Sequence, residues 1–125
     1  MTVFSLDHLK DAMKLAAHAV PLPEFGEGVI GYVAELSADE RDERLEVPWL
    51  KRREMTGDES NAGFRAFAVA ACWCDADRNF VAATQRDVEA TAAKVGKLDS
   101  RPVTRMFIEA AKANGLTQDE EDEKN

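Results

Sequence analysis

Cysteine, histidine and tyrosine are scarce in this chain of 125 residues, which contains two, two and one of them. The two cysteines, Cys72 and Cys74, are too few to build a disulfide framework. No run of about 18 apolar residues is present, so the sequence predicts no membrane-spanning helix and no membrane partner. Residues 1–10 contain Asp7 and His8 and no long apolar stretch, so we expect no signal peptide.

Basic residues are also few: the chain has 16 basic and 24 acidic residues, so its formal net charge is −8. A nucleic-acid-binding surface needs positive charge to neutralise phosphates, so we expect no nucleic-acid partner. What is present is a globular composition, with 45% apolar and 32% charged residues. We expect a single domain over residues 1–116 and an acidic C-terminal tail over residues 117–125.

Apolar periodicity predicts a mainly helical α+β domain with four or five helices and one small antiparallel β-hairpin. Spacings of three and four residues indicate a first helix over residues 6–19, with a stripe made by Leu6, Leu9, Met13, Ala16 and Val20. Gly26 and Gly28 then mark a hairpin turn, after which residues 29–36 form the better strand. Two prolines place the strand before the turn at the edge of the sheet.

A capping box made by Ser37 and Glu40 opens the next predicted helix, over residues 38–47. The helix has a poor apolar face, and residues 39–59 carry eight acidic and five basic side chains. Because such a stretch favours solvent, we expect it to protrude from the domain or to be mobile, with a loop over residues 55–63.

The C-terminal half of the domain has clearer signals. Residues 61–74 are almost wholly apolar and predict a helix at the centre of the domain. A second capping box, Thr84 with Asp87, opens the next helix, and Asp99 or Ser100 caps the last one. Their core faces are predicted to be Val88, Ala92 and Val95 in the first, and Val103, Met106, Phe107 and Ala110 in the second. Asn114 and Gly115 are typical of a helix C-terminus.

No motif in the sequence specifies catalysis or a metal site. The Cys72-x-Cys74 pair has no further cysteine or histidine nearby to complete four ligands. Residues 75–79 copy the start of a calcium loop, but phenylalanine and arginine stand where glycine and glutamate are required. His8 and His18 would lie about 15 Å apart on the predicted first helix, too far to share a metal ion. The acidic runs are too polar to shift a carboxyl pKa as catalysis requires. We expect core cysteines, a polar turn, surface histidines, no cofactor and no enzymatic activity.

One group of candidate partner-binding residues surrounds a tryptophan. Trp49 and Leu50 precede a basic triplet formed by Lys51, Arg52 and Arg53. An aromatic side chain beside guanidinium groups is typical of interface hot spots. The alternative is that the tryptophan folds back onto the core and leaves the basic side chains in solvent.

Two further candidate surfaces lie near the chain ends. The stripe made by Leu6, Leu9 and Met13 could bind a partner, because a helix bounded by prolines can leave the body of the domain. The alternative is that these side chains complete the core. The acidic tail offers a third candidate surface, with Asp119, Glu120 and Glu121 as its contacts, and the basic triplet is its natural counterpart.

Several sequence blocks occur in a fixed order between residues 22 and 125. They are Pro-Glu-Phe-Gly at 23–26, a strand running into a capped acidic helix at 33–42, an apolar helix ending in an acidic turn at 67–80, Asp-Val-Glu at 87–89, and the last helix with the acidic tail from 103 onward. In this order they resemble the tail assembly chaperones of long-tailed, siphovirus-type bacteriophages and prophages. The order and spacing carry the resemblance, and no block is a catalytic signature.

The resemblance implies a non-enzymatic role. Chaperones of this family bind the tape-measure protein before the tail tube polymerises, help to recruit tail-tube subunits, and leave before the tail is complete. The resemblance therefore implies a protein of the host bacterial cytoplasm, absent from the finished virion, that binds tape-measure and tail-tube proteins and self-associates. Many members also have a longer, frameshifted form that contacts the tube protein. Glu123-Lys124-Asn125 is compatible with slippery codons for such a −1 shift.

A function from another class is compatible with the same composition. A small acidic phage-encoded regulator could mimic DNA and occupy a host nucleic-acid-binding protein. A mimic should spread its carboxylates along one face at phosphate-like spacing. Here the last nine residues carry five acidic side chains and one lysine, which is half of the formal net charge. This concentration favours the chaperone.

Overall fold

The computed structural model describes residues 2–10, 14–57 and 61–116. The helices are α1 (Leu6–Lys10), α2 (Ala38–Glu40), α3 (Val47–Thr56), α4 (Asn61–Cys72), α5 (Gln85–Val95) and α6 (Ser100–Asn114), and the strands are β1 (Ala17–Pro21), β2 (Ile30–Ala34) and β3 (Trp73–Cys74). A π-helical segment, Arg41–Glu46, joins α2 to α3 in one continuous helical run. The described residues thus form five helical bodies and one small sheet, which confirms the predicted mainly helical α+β domain.

The three strands form one antiparallel sheet in the order β1-β2-β3. β1 and β2 make a hairpin, as predicted, with Ala17 opposite Ala34, and β1 lies at the edge of the sheet. The predicted strand before the turn is partly wrong, because β1 ends at Pro21 and Pro23–Phe25 form a short 3-10 helix. The short strand β3 pairs with β2 through Trp73 opposite Val33. This third strand was not predicted, because its residues continue the apolar pattern of the preceding helix.

The first predicted helix, over residues 6–19, is wrong from residue 14 onward, because residues 14–16 are not helical and residues 17–19 belong to β1. The apolar residues in this stretch are compatible with the spacing of a helix and with that of a strand, and pairing with β2 stabilises the strand. Glu35 supports this pairing, because its Oε1 accepts from the amide of Ala16 at 2.9 Å and its Oε2 lies 2.7 Å from Nε2 of His18. His8 and His18 therefore do not share a helix, although both remain near the surface.

The charged stretch after Ser37 packs against the domain, so the prediction that it protrudes is wrong. Arg44 and Leu45 are buried in the π-helical segment, and Trp49 is buried in α3. The helical run continues past Pro48 to Thr56 and α4 begins at Asn61, so the predicted boundary at residue 47 and both ends of the loop predicted over residues 55–63 are also wrong. This packing could not be predicted from the local pattern, because only a few apolar residues and one buried arginine pack the segment against the domain, and its other residues are mostly charged.

Helix α4 lies at the centre of the domain, as predicted, and packs against α5 and α6. Phe67, Val69 and Cys72 on this helix are almost fully buried. The predicted faces of the last two helices point at it, with Val88, Ala92, Val95, Met106, Phe107 and Ala110 buried and Val103 partly buried. This core is continuous with the inner face of the sheet through Val20 and Val33.

The helix ends form the local hydrogen bonds that the sequence predicts. Both capping boxes are present, at Ser37 and at Thr84. Asp99 caps α6, and Gly115 ends it in the left-handed region with φ of 61°, which suits a residue without a side chain. The start of α5 and both ends of α6 are thereby fixed, and these two helices form walls of the groove described next.

Candidate protein-docking groove

An open groove of about 570 Å³ lies between the hairpin turn and the helices α5 and α6. Residues of α4, β3 and the segment before α5 complete its lining. Apart from Thr91 and Lys94, the lining consists of apolar residues. Ligand-binding sites commonly measure about 300–1,000 Å³, and an apolar lining with few polar groups suits an apolar ligand or the apolar side chains of another protein segment better than a polar ligand.

The rim of the groove consists of large apolar side chains that are exposed to solvent: Phe25, Val29, Ile30, Val81 and Leu98. Its floor is formed by buried core residues, among them Val69, Val95 and Met106. Single exposed apolar residues are common on protein surfaces, whereas a contiguous group of them marks an interaction site. These five exposed side chains beside one cavity make the rim a candidate interaction surface.

Gly31 of the hairpin lies in the lining of the groove. A methyl group built at this position would lie 2.8 Å from Cδ1 of Leu22 and 3.5 Å from Cε of Met106. The first distance is shorter than side chains tolerate, so any larger residue would displace Leu22. The absence of a side chain at Gly31 therefore leaves room for Leu22 within the hairpin.

An ion pair holds the hairpin turn against α6. Arg105 donates to the two carboxylate oxygens of Glu24 at 2.9 and 2.7 Å and to the carbonyl of Pro21 at 2.9 Å. Two parallel hydrogen bonds make this a bidentate ion pair, which is the strong form of an arginine–carboxylate contact. The hydrogen bonds from Arg105 lower the pKa of Glu24 from 4.5 to about 2. The groove wall formed by Phe25 is positioned by this contact.

The N-terminal residues 2–10, here called the arm, expose apolar side chains. Leu6 is 80% exposed and Phe4 is 74% exposed, and Val3 and Leu9 are also exposed. Leu6 and Leu9 thus do not complete the core, and their role in binding a partner stays a prediction. The third residue of the predicted stripe, Met13, lies outside the described residues.

Trp49 lies in the core rather than at a surface hot spot. Its side chain is only 8% exposed and its ring centre lies 5.4 Å from that of Phe64 and 5.7 Å from that of Phe67. Arg52 covers it, with Cζ 5.6 Å from the Trp49 ring centre. Of the two alternatives from the sequence, the tryptophan that folds back onto the core is the one observed.

The other candidates around Trp49 stay at the surface. Leu50 is half exposed, and Lys51 and Arg53 are exposed. Their predicted acidic counterparts in the tail lie outside the described residues, namely Asp119, Glu120 and Glu121. The predicted contact between the basic triplet and the acidic tail therefore stays a prediction.

Both cysteines are buried and unpaired, as expected of core residues. Burial raises the pKa of the Cys72 thiol to about 12 and that of the Cys74 thiol to about 11. Because the thiolate is the reactive form, thiols with such pKa values are poor nucleophiles near neutral pH. The pair is structural in the folded protein.

The polar turn after β3 is stabilised by hydrogen bonds to the side chain of Asp75, its first residue. Oδ1 of Asp75 accepts from the amides of Asp77 and Asn79 at 2.9 and 2.8 Å, which is the hydrogen bonding of an Asx turn. Among the described residues, no group of three or more histidine, cysteine, aspartate or glutamate side chains is placed to hold a metal ion.

One buried arginine, Arg44, was not predicted from the sequence. Arg44 donates from Nε to the carbonyl of Ala71 at 2.9 Å and from Nη2 to the carbonyl of Ala82 at 2.7 Å. Its Cζ lies 3.7 Å from the ring centre of Phe80. The side chain thus ties the helical run to α4 and to the segment that leads into α5. No local signal distinguishes this arginine from its charged neighbours.

Comparisons of the chain with protein-family models, with curated protein sequences and with solved structures give no match. Within the described ranges, the helices are all too short or too polar to traverse a lipid bilayer.

Proposed function

We propose that this chain is a tail assembly chaperone of a long-tailed bacteriophage or prophage, which binds the tape-measure protein and helps to recruit tail-tube subunits in the host cytoplasm. The ordered sequence blocks from residue 22 to the acidic tail support the family. The observation that carries the mode of binding is the open groove of about 570 Å³ with its exposed apolar rim.

The groove suits an amphipathic helix of a long helical client. Such a helix presents apolar side chains at intervals of three and four residues, and a groove lined by aliphatic and aromatic residues takes them without specific polar contacts. Loose chemical specificity is an advantage for a chaperone, because successive segments of one client differ in sequence. A shallow site with an exposed rim also permits release before the tail is complete.

Co-expression with the long helical reading frame of the same gene cluster tests the proposal. The wild-type chain is expected to raise the soluble yield of that protein and to co-purify with it. Ile30→Glu places a charge on the groove rim and should abolish both effects. Ile108→Glu is the matched control, because Ile108 is 48% exposed on α6 outside the groove and Ile30 is 51% exposed.

Three results would contradict the proposal. They are no gain in soluble yield with the wild-type chain, client binding that survives Ile30→Glu unchanged, or equal loss with Ile108→Glu. Circular dichroism of each variant establishes that a loss of binding is not a loss of folding.

A further inference from the structure

Among the described residues that line the groove, Lys94 alone is charged. Its side chain is exposed on α5, so the aliphatic stem lines the groove while the ammonium group reaches water at the edge. The polar lining residue Thr91 lies one helical turn earlier on the same helix. The α5 side therefore differs in chemistry from the rest of an otherwise apolar groove.

The charge of Lys94 is not neutralised within the described part of the chain. No described acidic side chain forms a salt bridge with it. The positions three and four residues earlier on the helix, where an acidic partner would stand, are Thr91 and Ala90. Lys97, which follows α5, adds a second exposed positive charge. Positive charge without a partner beside an apolar groove suits a bound segment with negative side chains.

The hairpin side of the groove has charges of a different kind. Glu24 is already paired with Arg105. Glu27 is exposed in the turn between lining residues and forms no salt bridge with a described basic side chain. A carboxylate of a bound segment is repelled by Glu27 and attracted by Lys94, so it is favoured on the α5 side.

We propose that the client helix bound in the groove carries carboxylate side chains beside its apolar face, and that these lie along α5 against Lys94 and Lys97. This preference rests on the proposed function, since it describes the client segment that the groove takes. The apolar face supplies the burial, and the charges beside it select which segments of a long client dock. Acidic amphipathic segments are therefore preferred over basic ones of equal hydrophobicity.

The position of Lys94 in its helix also provides a matched control. Lys94 lies in the last turn of α5, where a positive charge favours the helix itself. Lys112 lies in the last turn of α6 and is exposed, but it does not line the groove. Lys94→Glu and Lys112→Glu therefore make the same change of net charge at the same place in a helix, and only the first changes the groove.

Fluorescence anisotropy with two labelled synthetic helices tests the charge preference. Both peptides have leucine at intervals of three and four residues, and they carry either glutamate or lysine along both borders of this apolar face. The wild-type chain should bind the glutamate peptide roughly threefold more tightly, as expected for exposed ion pairs, and the difference should shrink as salt rises. Lys94→Glu should weaken binding of the glutamate peptide and strengthen binding of the lysine peptide. Lys112→Glu should change neither affinity by more than about twofold, because its charge is remote and screened.

Ile30→Glu in the groove separates this preference from the proposed function, because it should abolish binding of both peptides. If both peptides bind through the groove but Lys94→Glu acts on them no differently from Lys112→Glu, the charge preference is overturned and the docking groove stands. If neither peptide binds the wild-type chain, or if binding survives Ile30→Glu, the groove is not a helix site and the proposed mode of client binding falls as well. Circular dichroism of each variant shows whether a change in affinity is a loss of folding.

Discussion

Asn114, the last residue of α6, accepts a hydrogen bond at Oδ1 from the backbone amide of Leu36 at 2.7 Å. Its Nδ2 donates to the carbonyl of Ala34 at 3.0 Å. One side-chain amide thus bonds to the backbone on both sides of Glu35, in the manner of a neighbouring strand. This contact fastens the end of β2 to the end of the last helix, across the domain from the groove.

Replacing this amide should destabilise the fold. Asn114→Ala leaves the amide of Leu36 and the carbonyl of Ala34 without this partner, which costs about 1–3 kcal/mol of unfolding free energy. Urea unfolding measures the loss, and Lys112→Ala on the exposed side of the same helix is the control. A change of less than about 0.5 kcal/mol, the usual range for surface substitutions, would show that water replaces the amide.

Arg44→Met tests the buried arginine. Methionine preserves much of the apolar volume but removes both donors, so the carbonyls of Ala71 and Ala82 lose their partners and the contact with Phe80 loses its charge. The expected loss is about 2–4 kcal/mol of unfolding free energy, measured by chemical denaturation. Arg86→Met, at an exposed position of α5, should change stability little. Equal stabilities for the two variants would exclude a structural role for Arg44.

Features set by interactions between residues close in sequence could be predicted, whereas features set by interactions between distant residues could not. Helix ends are set by hydrogen bonds between residues three or four apart, and the capping boxes at Ser37 and Thr84 were therefore predicted correctly. Arg44 bonds to carbonyls 27 and 38 residues away. A charged stretch held by such distant partners has the same local pattern as a solvated one, and so its packing was missed.

The groove was not predictable for a related reason. Its lining comes from the hairpin, β3 and three helices, so no single stretch of sequence carries its signature. The exposed rim residue Val81 is indistinguishable by type from a buried valine such as Val95. The arm is a partial success, since its apolar stripe was recognised as a candidate surface, although the helix assigned to it extended into residues that form β1.

Acid should weaken the ion pair between Glu24 of the hairpin and Arg105 of α6. The pKa of Glu24 is lowered from 4.5 to about 2 by Arg105, so the ionised carboxylate contributes its stabilisation fully above about pH 4.5. That contribution is lost as the pH falls through this window toward 2. The difference in urea midpoint between the wild type and Glu24→Gln should narrow over the same range. Glu89→Gln on α5 is the control, and a difference that is constant with pH would contradict the ion pair.

The buried thiols should resist alkylation in the folded protein. With pKa values of about 12 for Cys72 and about 11 for Cys74, less than about one thiol in a hundred is ionised at pH 8, and both are shielded from reagent. Mass spectrometry after iodoacetamide treatment should find no modification in native buffer and two adducts in urea. Rapid labelling of Cys74 in native buffer would show that β3 opens readily.

Between α2 and α3 the amide of Val47 bonds to the carbonyl of Asp42, five residues earlier instead of four. A turn of this kind holds one residue more than an α-helical turn, and each residue of an α-helix advances about 100° around the axis. Because this turn takes up one extra residue, deleting a single residue from Arg41–Glu46 would let the run close as a regular α-helix while α3 kept nearly its present orientation, and Trp49 would stay in the core. Closing the same number of residues as a regular α-helix would instead rotate α3 by about 100° and turn Trp49 away from the core. The wide turn thus sets the direction in which α3 faces.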